Sequence, residues 1–216
     1  MAIVEAWDEF LQVIAMRARI VGTSGEGWAE DTFRSDYVVA LTKTGVPLER
    51  IWPGYLYPKA SGSGARVDVF VAAVEREVTE PGEYMEIQCC NGVRMESRQK
   101  RLGMLVGDIW KVRGYVDHNW NTYLLIITDE DFRSFLGSVG FPEPLQHRKL
   151  STRVALGEMA IPKSSVRLSP EALEELPADL KEKKARYFSF TWLCRRHVMI
   201  GDLNLALVEI ERLGLG

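Results

Sequence analysis

Three polar side chains interrupt otherwise apolar runs of this chain. Asp68 lies in "RVDVFVAAV" (66–74), and Glu86 and Gln88 lie in "YMEIQCCN" (84–91). On a strand, successive side chains point to opposite faces. Met85, Ile87 and Cys89 therefore share one face, and Tyr84, Glu86, Gln88 and Cys90 share the other. An acid on one strand and an acid on its antiparallel neighbour can converge on a single point. Mg2+ suits such a point, because it is held through one or two carboxylates together with phosphate oxygens and waters. Asp68 and Glu86 are the candidate ligands, and the carbonyl of Ile87 is a further one. Gln88 has a carboxamide that does not titrate, so it can orient a water or reach a metal through one, but cannot act as a base. The chemistry expected of the set is metal-assisted hydrolysis.

Positioning these groups requires a strand pair. The β-branched content of 66–74 predicts one strand, the stretch 84–90 predicts the next, and together they read as an antiparallel hairpin. Two registers are open. A turn centred on Pro81–Gly82 sets Glu75 and Glu77 opposite Gln88 and Glu86. A longer connection, over about 75–83, sets Asp68 opposite the 88–90 region. Asp68 is preferred because it sits in an apolar strand, with Glu77 as the alternative metal ligand. "VRMESRQKRLGMLVGDIW" then places Met95, Leu102, Leu105, Val106 and Ile109 on one helical face. "TYLLIIT" (122–128) reads as a buried strand, and "DEDFRSFL" as a helix with Asp129 as N-cap. The centre is thus β–β–α–β–α, an α/β core.

The order of acid strand, Glu-x-Gln strand and basic helix resembles the PD-(D/E)xK nuclease superfamily. Gln88 stands at the usual lysine position, and no proline precedes Asp68. Glu-x-Gln in an apolar strand followed by Asn91 is similar to the BglII- and BstYI-like type II restriction endonucleases. "TYLLIIT" resembles the buried strand that follows their active-site helix, so the likeness covers about residues 66–128. It implies a restriction-endonuclease-like α/β fold, a central mixed β-sheet flanked by helices, and Mg2+-dependent cleavage of double-stranded DNA by a homodimer. It assigns catalysis to Asp68, Glu86 and Gln88, with metal at Asp68, Glu86 and Ile87. Asn91 and the basic residues Arg94, Arg98, Lys100 and Arg101 are the expected DNA contacts. Glycines at 103 and 107 would let another backbone approach the same helix. The alternative is a non-catalytic DNA- or protein-binding protein on the same fold, its site decayed where glutamine replaced lysine.

The rest of the sequence agrees with one domain over 1–216: a helical part to about 60, a catalytic core to about 140, and a recognition or dimerisation part beyond. Residues 3–19 have helical spacing, "GTSGEG" breaks them, and "WAEDTFRSDYVVALTKTG" reads as a second helix or helix pair closed by Gly45. "VPLERIWPGYLYPKASGSGA" reads as irregular. Toward the end, Ser169 and Pro170 open a helix, "YFSFTWLC" is a strand, and "DLNLALVEIERL" fits either a strand or a helix. With 46% hydrophobic and 26% charged residues the chain can bury a core. The net charge of −3 conceals a partition: residues 68–90 hold six acids against Arg76, and 91–115 hold six bases against Glu96 and Asp108. Five further bases in 144–167 face only Glu158. Clustered bases of this kind suit nucleic acid despite an acidic total.

Other classes fit less well. The three cysteines form no metal spacing and suggest no disulfide framework. No apolar run reaches the length of a bilayer span, and acids stand where a signal peptide carries bases, so a cytoplasmic setting without membrane contact is expected. "VDHNWN" (116–121) lacks the further ligands of a His–Asn nuclease and reads as a loop. Cys89 and Cys90 read as packing groups, and His147 and His197 as non-catalytic.

Overall fold

The β-branched and aromatic residues of 66–90 form two strands, and a third lies beside them. The computed structural model describes residues 1–22, 28–57, 65–73, 82–92, 97–116, 120–144, 148–156, 165–183 and 185–216. Strands β1 (Ile51–Leu56), β2 (Arg66–Val71) and β3 (Glu83–Cys90) pair antiparallel in that order. β1 corrects the irregular reading of this stretch. Its Pro53 and Gly54 hide the strand signal, yet both are tolerated because β1 is the edge of the sheet, where a missing donor breaks no ladder. The centre is therefore β–β–β–α–β–α. Helix α4 (Arg98–Gly114) crosses over and returns the chain as β4 (Asn121–Thr128), parallel to β3, and α5 (Glu130–Ser138) follows. Asp129 caps α5 as expected, accepting from the Phe132 N–H at 2.7 Å.

The C-terminal third completes one mixed sheet of eight strands. Strands β5 (Lys149–Ala155) and β6 (Val166–Arg167) precede two short helices, α6 (Pro170–Glu174) and α7 (Ala178–Glu182). A long hairpin, β7 (Tyr187–Ile200) and β8 (Leu203–Leu215), then enters the middle, giving the order β1-β2-β3-β4-β8-β7-β5-β6. β8 resolves the ambiguous segment as strand. It lies between β4 and β7, so Leu203–Val208 is buried on both faces and shows no alternation to read.

Helices cover both faces of the sheet. The N-terminal residues form α1 (Ala2–Glu5) and α2 (Trp7–Val21), which meet at Ala6, and then α3 (Glu30–Lys43), ended by Gly45 at φ 90°. Phe10, Ile14, Phe33, Tyr37 and Leu41 pack onto the face carrying Met85, Ile87, Leu125 and Leu205. On the other face Leu102, Leu105, Val106 and Ile109 of α4 pack over Tyr84, Leu124 and Ile126. Each such fully buried side chain contributes about 1.5–3 kcal/mol relative to exposure. Gly103 and Gly107 do admit another backbone, but it is the chain's own: a Cβ at Gly103 would collide with the Ala172 carbonyl of α6, and one at Gly107 would meet Pro177 at 3.1 Å. Among the described residues no helix is long and apolar enough to cross a membrane.

Candidate active site

The β2–β3 ladder has its last pair at Val69↔Met85. One residue further, the same register brings Asp68 level with Glu86, two residues short of the 88–90 position expected for it. The strands part at this point. The amide of Ile87, beyond the last pair with β2 though still in the β3–β4 ladder, donates to Asp68 Oδ2 at 2.8 Å. Amide and carbonyl of one strand residue point the same way, so the Ile87 carbonyl also faces β2. Asp68, Glu86 and Ile87 are thus adjacent. Glu77 and Arg94 lie outside the described residues.

Further groups, not foreseen from the sequence, converge on the pair. Tyr57, just past β1, is buried and donates its hydroxyl to Glu86 Oε1 at 2.5 Å. Arg34 of α3 donates to Asp68 Oδ1 at 2.5 Å and also pairs with Glu30 and Asp31. From the opposite helix layer, α4 contributes Asp108, buried in the apolar stripe, with Lys111 Nζ donating to its Oδ1 at 2.6 Å. A charge inside "LVGDIW" was the one readable sign of this pair. Glu30 and Arg34 carry only the ordinary i,i+4 spacing of a surface pair.

Crowding carboxyls in a dry site raises their pKa values. Burial first, then the charges of Asp108 and Asp68, hold Glu86 well above the usual carboxylate range. Burial also pushes Asp108 up to about 6, although Lys111 opposes the shift. Glu30 rises to about 7 through burial and the charges of Asp68 and Asp108. Burial works against the charge of Lys111, but Asp108 and Glu86 outweigh it and its pKa is raised. Lys111 is therefore an ammonium at neutral pH. Tyr57, driven far up by burial and by Glu86, remains a donor.

Gln88 shares the face of Glu86, fully buried, and its Nε2 donates to Cys90 Sγ at 3.6 Å, away from Asp68. Asn91 accepts from Cys89 Sγ at 2.6 Å in the turn after β3. The basic residues of α4 divide. Arg98 reaches Asp131 of α5 at 3.3 Å, Lys100 is exposed, and Arg101 lies within electrostatic reach of Glu30 and Asp108.

Among the described residues no three Asp, Glu, His or Cys side chains already form a metal-ready cluster. Mg2+ requires fewer: two carboxylates and a carbonyl, with the remaining positions left to waters and phosphate. Asp68, Glu86 and Ile87 supply that hard-oxygen set, and the buried Glu86, held above the usual carboxylate range, gains from a cation. The set fits once Glu86 loses its proton and Asp68 exchanges Arg34.

Comparison with protein-family models, with curated proteins and with solved structures finds no match to this chain.

Proposed function

We propose that the chain is a Mg2+-dependent endonuclease of the PD-(D/E)xK type, hydrolysing phosphodiester bonds in double-stranded DNA. The observation that carries this reading is the juxtaposition of Asp68 and Glu86 across β2–β3, with the ammonium of Lys111 beside them. The run of three antiparallel strands, a basic helix and a parallel buried strand agrees with it. Bound at Asp68, Glu86 and the Ile87 carbonyl, Mg2+ would lower the pKa of a coordinated water and offset charge on the scissile phosphate. Lys111 supplies from α4 the positive charge that Gln88 cannot supply from β3. Being protonated, it stabilises charge on phosphate oxygens rather than accepting a proton. Asp108 holds Lys111 in place, and Tyr57 fixes the Glu86 carboxyl. Gln88, with a carboxamide that does not titrate, would orient the attacking water once its amide leaves Cys90 and turns toward Glu86. Arg34, freed when Asp68 takes metal, is positioned to hold a phosphate oxygen, and Arg98, Lys100, Arg101 and Asn91 extend the contact along the backbone of the duplex.

The type II restriction reading goes one step further. A C2 homodimer would present one site to each strand of a palindromic target. Gly103 and Gly107 are covered by the chain's own α6–α7 segment, so the dimer contact lies elsewhere. Sedimentation equilibrium with and without duplex DNA, using Ca2+ to block cleavage, tests this; one 24.5 kDa chain per duplex would refute it.

A second reading has its own observation: Arg34 and the Ile87 amide already occupy both oxygens of Asp68. A site closed in this way suits a DNA- or protein-binding protein without catalysis. Plasmid cleavage with and without Mg2+ separates the two. Mg2+-dependent cutting lost in a folded Glu86→Ala variant is the expected result, and near-normal cutting by that variant would sink the metal-site assignment.

A further inference from the structure

A cavity of about 210 Å³ lies on the α4 face of the sheet, between the end of β4, α5 and the β7–β8 hairpin. It is separate from the carboxylates but close to them in the sheet, since Ile126 in its wall is the ladder partner of Gln88. Leu136, Phe141 and Trp192 form the rest of the apolar wall. The indole of Trp192 is held edge-on by Phe141 and Phe190, with ring centroids at 5.5 and 5.3 Å.

Beside the carboxylates of Glu130 and Glu143 and the hydroxyl of Ser134, the wall of this cavity carries donors with capacity to spare. Trp192 is fully buried, and its indole N–H has no partner among the described residues. Leaving such a group unpaired costs about 1–3 kcal/mol. Asn204 is fixed by two bonds: its Oδ1 meets His197 Nε2 at 2.5 Å, and its Nδ2 donates to Thr128 Oγ1 at 3.1 Å. With Oδ1 facing His197, the second amide hydrogen of Asn204 is uncommitted among the described residues, as is the hydroxyl hydrogen of Thr128. Arg133 spans one side of the cavity, pairing with Glu130 and with Glu143, each at 3.5 Å. Its charge is thereby neutralised, and the cavity offers no net attraction to an anion.

We infer that this cavity binds an uncharged planar heteroaromatic ring carrying oxo groups, of the kind found in pyrimidine and purine bases. Size agrees, since a cavity of roughly 150 Å³ already admits benzene, whereas pockets for drug-sized ligands begin near about 300 Å³. Aromatic and branched aliphatic walls contact the faces and edges of the ring. The three spare donors match ring carbonyls, which would satisfy the buried Trp192 N–H. Such a ring has two sources, a free nucleoside or a base turned out of a nucleic-acid strand. Neither depends on whether the chain cuts DNA.

The test is a titration of protein carrying 15N-labelled indoles, with the Trp192 Nε1–H resonance assigned by its loss in Trp192→Phe. Thymidine is the free probe and an oligothymidylate the strand probe. The expected result is a saturable shift of that resonance with at least one probe. Thr128→Val, which keeps the shape and removes the hydroxyl, should weaken binding about tenfold, as expected for one hydrogen bond. A shift with the oligonucleotide alone assigns the site to a strand-borne base, and a shift with thymidine assigns it to the ring itself. No shift with either probe at millimolar concentration would overturn the inference. Binding undiminished in Thr128→Val, or toluene binding as tightly as thymidine, would do the same.

Discussion

Replacing Lys111 by methionine should destabilise the protein at pH 8 and barely affect it at pH 5. Lys111 donates to Asp108 at 2.6 Å, and Asp108 titrates at about 6 against an ordinary 3.8 because it is buried. A carboxyl raised in this way contributes stability that is greatest below its unfolded pKa and is lost as pH rises from 3.8 through about 6. At pH 5 most Asp108 is already protonated in the fold, so removing the ammonium takes away little. At pH 8 the wild-type carboxylate is ionised and depends on Lys111. In the wild type, ionisation two pH units above its pKa favours the fold by about 2.7 kcal/mol at 1.36 kcal/mol per unit, and a variant whose Asp108 stays neutral for want of Lys111 forfeits up to that amount. Methionine keeps most of the aliphatic volume of lysine, so packing changes little. Urea denaturation of both proteins at the two pH values measures the difference. A loss of about 2–3 kcal/mol at pH 8 and under about 1 kcal/mol at pH 5 is expected. An equal loss at both would show that Lys111 acts through packing and that the buried charge pair has been misread.

Glu86→Gln, which preserves the shape of the protonated acid and can keep the Tyr57 contact, should abolish Mg2+-dependent cleavage while raising the melting temperature at pH 8. A lower melting temperature would contradict the raised pKa of Glu86. Binding of Mg2+ should strengthen with rising pH and release protons, because Glu86 must ionise to ligate the metal; calorimetry in buffers of different ionisation enthalpy detects this, and buffer-independent heats would refute it. Gly103→Ala should destabilise by about 1–3 kcal/mol, seen as a lower urea midpoint, because α6 cannot make room for the methyl without moving its backbone. Arg101→Ala should flatten the slope of log K against log salt for duplex DNA by about one unit, and an unchanged slope would place this side chain away from the phosphates.

Local pattern was enough to reveal the strands β2, β3 and β4 and the buried face of α4, because alternation and helical spacing are properties of neighbours along the chain. The same alternation puts Glu86 and Gln88 on one face, and the apolar setting of Asp68 picks it out. Where burial is set by the sheet, local pattern is silent. β1 carries Pro53 and Gly54 and reads as a loop until β2 pairs with it. β8 is apolar on both faces because it sits between β4 and β7, which removes the alternation that separates strand from helix. The glycines of α4 signalled a close approach but not its partner, the chain's own α6. Convergence on the carboxylates was the least legible of all. Tyr57, Arg34, Asp108 and Lys111 come from a strand end and two helices on opposite sides of the sheet. Nothing in their spacing from Glu86 encodes a meeting, which depends on register and on which helix covers which face, and those are properties of the packed molecule.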